Sequence, residues 1–140
     1  MKTLKNESAF TRWFCDILTK HNAKVVAFVG STMQATGITD RYICHNKFRG
    51  WVEFKKDKGK LSVGQRVFMQ GLQDRGDNCG VIRYLSKEGT IRFESIDGDL
   101  CGELDLETAD AFSILIGLQG LCVNRRTCTG YESPLDSTFI

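Results

Sequence analysis

The chain has 140 residues, 41% of them hydrophobic and only one a proline, which suits one globular domain and excludes a disordered or collagen-like polymer. Its formal charge of +2 does not by itself mark a nucleic-acid binder, so such a role has to rest on local clustering. No apolar run approaches the ~20 residues that span a bilayer, and the first seven residues lack the apolar stretch of a secretory signal.

Residues 7–21 place Phe10, Trp13, Phe14, Ile17 and Leu18 at three- and four-residue steps, which predicts an amphipathic helix with that stripe in the core. Glu7 opens it, where the positive end of the helix dipole favours an acid. Lys24 to Val29 is short and almost wholly apolar, the pattern of a strand buried on both faces. The polar segment 30–36 has two readings, a phosphate-approaching loop or an ordinary solvated connection. Asp40 to His45 and Phe48 to Lys55 then predict two strands, turned at Asn46-Lys47. Alternation puts Trp51, Glu53 and Lys55 on one face and directs Val52 and Phe54 into a core. Pairing the strands as a hairpin brings Asp40 beside Glu53, with Lys55 next along. Two carboxylates and a lysine so placed suit a hard cation and a phosphate. Neither carboxylate is expected to take part in core packing.

Lys55, Lys56, Lys58 and Lys60, with Arg66 beyond, form the densest positive cluster. It directly follows carboxylates that would repel a polyanion, so phosphate contact is the expected role. Ser62 and Gln65 have the spacing of a capping box. The helix they open is expected to run to about Arg75, with Val67, Phe68 and Leu72 buried and Gly76 as its stop. Gly80 to Leu85 predicts a strand beside the hairpin, and Thr90 to Ile96 another after the Lys87-Glu88-Gly89 turn. Asp97-Gly98-Asp99 marks a further turn. Asp97, Asp99, Asp105 and Asp110 lack the spacing of a calcium loop and read as a solvated acidic region. Asp105 is expected to cap a last helix, Leu106 to Leu121, with Ala109, Phe112 and Ile116 on its apolar side. Ile114, Leu115 and Leu118 widen that stripe beyond one core face. A single domain results, with a core at about 7–95, a turn and helix at 96–122 and a polar tail at 123–140. None of the six cysteines forms a C-x-x-C pair, which argues against zinc. Thiols in a cytoplasm, that of a host cell were the source a virus, are expected.

Asp40 with Glu53-Phe54-Lys55 resembles the D…ExK core of the PD-(D/E)xK nuclease superfamily. Lys58-Gly59-Lys60-Leu61-Ser62 followed by Gln65 resembles the K-G-x-L-S-x-x-Q run of its VRR-NUC branch. Gly37-Ile38-Thr39-Asp40 stands where many members carry Gly-x-Pro-Asp, Thr39 being the departure. The resemblance spans about Glu7 to Leu85. It implies an α/β, restriction-endonuclease-like domain, a mixed central sheet flanked by helices, that hydrolyses DNA phosphodiesters with Mg2+, or Mn2+ in its place. On that pattern Asp40, Glu53 and the carbonyl oxygen of Phe54 would hold the metal, and Lys55 would orient the attacking water. Glu7 would be an outer metal ligand or only a helix-end charge. Gln65 would position water or phosphate, or only cap its helix. Lys56, Lys58, Lys60 and Arg66 would contact DNA. Small stand-alone proteins that resemble VRR-NUC domains are associated with resolving four-way (Holliday) junctions, which takes two matched cuts. A homodimer is therefore expected, with Phe112, Leu115, Ile116 and Leu118 as candidate interface positions. The alternatives are a flap or end-processing nuclease, or an inactive DNA-binding protein on the same fold.

Overall fold

Alternation along one central strand decides the layers of this molecule. The computed structural model describes residues 3–27 and 41–122. In chain order these form α1 (Glu7–Lys20), β1 (Lys24–Ala27), β2 (Arg41–His45), β3 (Phe48–Lys56), α2 (Val63–Asp74), β4 (Cys79–Leu85), β5 (Thr90–Glu94), β6 (Leu100–Asp105) and α3 (Ala111–Gln119). Val52 and Phe54 of β3 are fully buried with Phe10, Phe14 and Leu18 of α1 and with Ile114 and Leu118 of α3. Trp51, one step out of phase, packs on the other face against Phe68 and Leu72 of α2 and the buried Met69. The result is one α/β domain with α1 and α3 on one side of the sheet and α2 on the other.

The six strands lie in the sheet in chain order. Every neighbouring pair is antiparallel except β3 and β4, which run parallel. A parallel pair needs a crossover, and α2 provides it. Ser62 and Gln65 form the expected capping box at its start. At its end Gly76 adopts φ +98°, while the Asp77 and Gly76 amides donate to the Leu72 and Gln73 carbonyls, both at 3.0 Å. That is a Schellman stop, and glycine meets its left-handed turn without strain. On α1, Asn6 is the cap, its side chain accepting from the Ala9 amide at 2.8 Å. Phe10 then stacks on Tyr84 at 5.1 Å, and Phe14 meets Phe54 edge-on at 5.3 Å.

Several expectations are corrected. Among the described residues β1 is a sheet edge paired with β2 alone, so it is mostly exposed rather than buried on both faces, and of its residues Val25 packs on the core. Val67 is exposed; Met69 takes the buried position of α2, because the inward face of that helix follows Phe68, Met69 and Leu72. The segment Leu100–Asp105 is a strand that alternation does not reveal, since Gly102 interrupts it. A Cβ at Gly102 would lie 3.6 Å from the Phe93 ring and 3.7 Å from Gly117, so the gap in the pattern is where α3 crosses closely. Asp105 caps a 3-10 turn, Leu106–Thr108, and Asp110 with Ser113 forms the capping box of α3. The last helix therefore starts at Ala111 rather than Leu106. Its rotation also differs, because Phe112 and Ile116 face solvent while Leu115 and Leu118 belong to the monomer's own core. Cys15, Cys44, Cys79 and Cys101 are thiols as expected, but Cys122 is disulfide-bonded. Among the described residues no helix is long and apolar enough to cross a membrane.

Two glycine substitutions test this packing in opposite directions. A Cβ on Gly117 would overlap the Phe93 ring, so Gly117→Ala should destabilise by about 1–3 kcal/mol. Gly71 lies inside α2, and a Cβ there meets only the end of Arg75, at 3.6 Å. Gly71→Ala should stabilise by about 0.5–1 kcal/mol. Urea midpoints of the two variants check both signs.

Candidate active site

Cross-strand partners share a sheet face, so the strand register lays out the site. Glu53 pairs with Val81, and Val81 with Glu94; Lys55 pairs with Arg83, and Arg83 with Arg92. Two adjacent rows of side chains thus cross β3, β4 and β5 on the side that carries α2. Glu53 is 4% exposed and Glu94 7%. Burying a carboxylate is costly unless a cation and hydrogen bonds accompany it. Lys55 Nζ stands 3.8 Å from Glu53 Oε2. Arg83 Nε donates to both oxygens of Glu94, at 3.1 and 3.2 Å. Arg92 Nε lies 3.4 Å from Glu94 Oε2 but makes no hydrogen bond.

The turn that leaves β3 is held from below. Asp57 sits at φ +51°, a left-handed conformation that aspartate tolerates better than most residues. Its amide donates to the Tyr84 carbonyl at 2.8 Å. Its carboxylate accepts from Lys56 Nζ at 2.8 Å, and from the Ser86 amide and hydroxyl, each at 2.8 Å. The hydrogen bond from Lys56, then those from Ser86, hold this carboxyl down at about 2. Arg83 Nη1 donates to the carbonyl oxygens of Asp57 at 2.7 Å and Gly59 at 2.6 Å. A Cβ at Gly59 would come within 3.5 Å of Lys55 Cδ, so the turn lies against the stem of Lys55. Asp57, Arg83 and Glu94 are not among the residues that the sequence motifs single out. The available signal was that Arg83 and Glu94 occupy positions in strands of otherwise apolar character, where an ionised side chain is rarely buried without a partner.

Of the sequence-predicted residues, Glu53 and Lys55 stand together as expected, and Glu53 is part of the packed interior, contrary to expectation. The Phe54 side chain lies in the opposite core. Asp40 and the segment 30–36 lie outside the described residues; β2 begins at Arg41, paired with Val52. Gln65 Oε1 accepts from the Ser62 amide at 2.9 Å, so its carbonyl end serves the helix cap. Glu7 is exposed in the first turn of α1. It lines a cleft of about 490 Å³ with Thr11, Arg12, Asp16 and Arg41, a group that does not include Glu53. Lys56 is engaged by Asp57. Lys58 and Lys60 are exposed, and Arg66, also exposed, pairs with Asp97 at 3.1 Å. Lys60, Arg66, Arg83 and Glu94 line a second cleft of about 320 Å³.

Carboxylate and carbonyl oxygens are the hard donors that Mg2+ prefers. Among the described residues no three His, Cys, Asp or Glu side chains form a group able to hold a metal. No protein-family model matches the chain, and no curated protein does.

The Asp57 lock carries a pH dependence of definite sign. Its carboxyl has an ordinary value of 3.8 and titrates at about 2 in the folded chain. The stabilisation is thus complete above pH ~4 and lost as the pH falls through the folded value. Asp57→Asn should lower the urea midpoint at neutral pH. The gap from wild type should then close between pH ~4 and ~2, as chemical denaturation at a series of pH values will show.

Proposed function

We propose that this chain is a divalent-metal-dependent DNA nuclease of the restriction-endonuclease-like type, similar to VRR-NUC domains, acting on branched DNA. The observation that carries the reading is the pairing of a buried Glu53 with Lys55 at 3.8 Å on one face of β3, with an exposed basic turn laid against Lys55. The mixed sheet with α1 on one side and α2 on the other is the arrangement such a fold requires, and it supports the same reading.

Asp40, Glu53 and the carbonyl oxygen of Phe54 would hold Mg2+ or Mn2+. For Asp40 this asks only that the ladder pairing Arg41 with Val52 run one residue further, which brings position 40 opposite position 53. The bound metal supplies a Lewis acid that activates water and stabilises charge on the phosphate. Lys55 holds a fixed positive charge beside Glu53, able to orient the attacking water and to offset negative charge that grows on the phosphate. Lys58, Lys60 and Arg66 track the DNA backbone, with Lys56 partly neutralised by Asp57. Gln65, its oxygen committed to the cap, positions water or phosphate through its amide nitrogen. Glu7 serves either as an outer metal ligand or as a charge at the helix end.

The substrate class follows from symmetry. Resolving a four-way junction takes two matched cuts, which a two-fold dimer supplies. Phe112 and Ile116, 70% and 52% exposed on α3, are the apolar residues we assign to that dimer, with Leu115 and Leu118 beneath them in the core.

Glu53→Gln keeps the shape of a buried side chain while removing its charge. It should reduce Mg2+-dependent cleavage of a labelled four-way junction by at least ~100-fold and leave DNA affinity unchanged or tighter. Lys55→Ala should lower the cleavage rate far more than affinity. Lys58→Ala and Lys60→Ala should each flatten the salt dependence of binding by about 0.9 in log–log slope. Full activity in Glu53→Gln would refute the mechanism.

The dimer has its own test. Sedimentation velocity at assay concentration should give a dimer for the wild type and a monomer for Phe112→Asp, with the loss of paired cuts in the junction. A wild-type monomer that cuts flaps and leaves junctions intact would replace the junction resolvase with a flap nuclease.

A further inference from the structure

The buried pair of Arg83 and Glu94 lies outside the D…ExK pattern, yet Arg83 bonds the turn that passes close to Lys55. Glu94 accepts from Arg83 Nε through both oxygens, at 3.1 and 3.2 Å, which anchors one corner of the guanidinium. The same guanidinium turns Nη1 toward two backbone carbonyls, Asp57 at 2.7 Å and Gly59 at 2.6 Å. A Cβ added at Gly59 would lie 3.5 Å from Lys55 Cδ, so the turn passes close to Lys55, whose Nζ is 3.8 Å from Glu53. Arg83 and Glu94 are both shielded, their side chains 17% and 9% exposed. An arginine so placed presents a rigid planar fork that no other side chain reproduces.

We propose that Arg83, anchored by Glu94, is a positioning residue: it sets the 57–60 turn against Lys55 and so fixes Lys55 beside Glu53. This rests on the nuclease reading for its catalytic consequence, but not for its structural one. The bonds from Arg83 Nη1 go to backbone carbonyls of the turn, so its effect passes through that backbone. Asp57 anchors the same turn on its other side through Ser86, so the turn is clamped between β4 and the residues that follow it.

The proposal separates two properties that a simple basic patch would tie together. Loss of the clamp should leave the number of positive charges facing DNA almost unchanged, and so leave affinity and its salt dependence near wild type. It should reduce turnover, because displacing a group at the reacting centre by about 1 Å can cost on the order of 100-fold.

The experiment compares wild type with Arg83→Lys, Glu94→Gln, Gly59→Ala and Arg92→Lys in two readouts. Amide hydrogen exchange reports the turn at residues 57–61 without reference to any activity. Single-turnover cleavage and DNA affinity report the site. Arg83→Lys and Glu94→Gln should raise exchange in the turn and slow cleavage by on the order of tenfold to a hundredfold, with affinity little changed. Gly59→Ala, whose Cβ would crowd the Lys56 carbonyl at 3.3 Å, reaches the same outcome without touching the buried pair, and covers the case in which that pair's variants do not fold. Arg92→Lys, which leaves the bonds from Arg83 to the turn in place, should raise exchange less than Arg83→Lys. Unchanged exchange in Arg83→Lys overturns the clamp. Faster exchange with an unchanged cleavage rate overturns the positioning role. A wild type that cleaves no DNA defeats the nuclease reading and the catalytic part together, and exchange alone then decides whether Arg83 holds the turn.

Discussion

The parallel pairing of β3 with β4 is the constraint on which the rest of this molecule depends. It joins two antiparallel meanders, β1-β2-β3 and β4-β5-β6, into one sheet. It obliges the chain to cross over by way of α2, which covers one face and leaves the other to α1 and α3. It also aligns Glu53 with Val81 and Lys55 with Arg83 in the same rows. A slip of one residue would send every side chain of β4 to the opposite face. Arg83 would then enter the aromatic core, and Ile82 and Tyr84 would leave it. The apolar packing on one side and the ion pairs on the other therefore specify a single register between them.

The ionic side of that register is unusual in its depth. Two carboxylates and their cations occupy positions where hydrophobic residues would pack at less cost. Replacing such pairs by apolar side chains often leaves a fold as stable or more so. They lie on α2's side of the sheet, next to the turn that carries Lys56, Lys58 and Lys60. The side covered by α1 and α3 carries a core of stacked and edge-on aromatic rings.

Much of the fold was legible in the sequence because its signals were local. The stripe from Phe10 to Leu18 gave α1 within a residue of its ends, the Ser62–Gln65 spacing gave the cap of α2, and strict alternation gave β3 with its two faces. What failed was information that lies between elements. β1 is as apolar as an interior strand, and only the strand order shows it to be an edge. β6 was hidden by Gly102, whose lack of a side chain makes sense only with Gly117 and Phe93 in place. Asp105 and Asp110 are both good caps, and local sequence could not say which one begins the long helix. At the candidate site the motif residues Glu53 and Lys55 could be read from spacing, whereas the pairing of Arg83 with Glu94 could not, since it joins two further strands, β4 and β5.

Among the described residues the sheet ends in β1 and β6, which differ in charge. β6 carries Glu103 and Asp105 along its length, while β1 begins at Lys24. Two copies of the molecule meeting margin to margin through β6 would bring like charges together, which opposes that association. Charged side chains on the last strand thus guard that end of the sheet against pairing with its own copy.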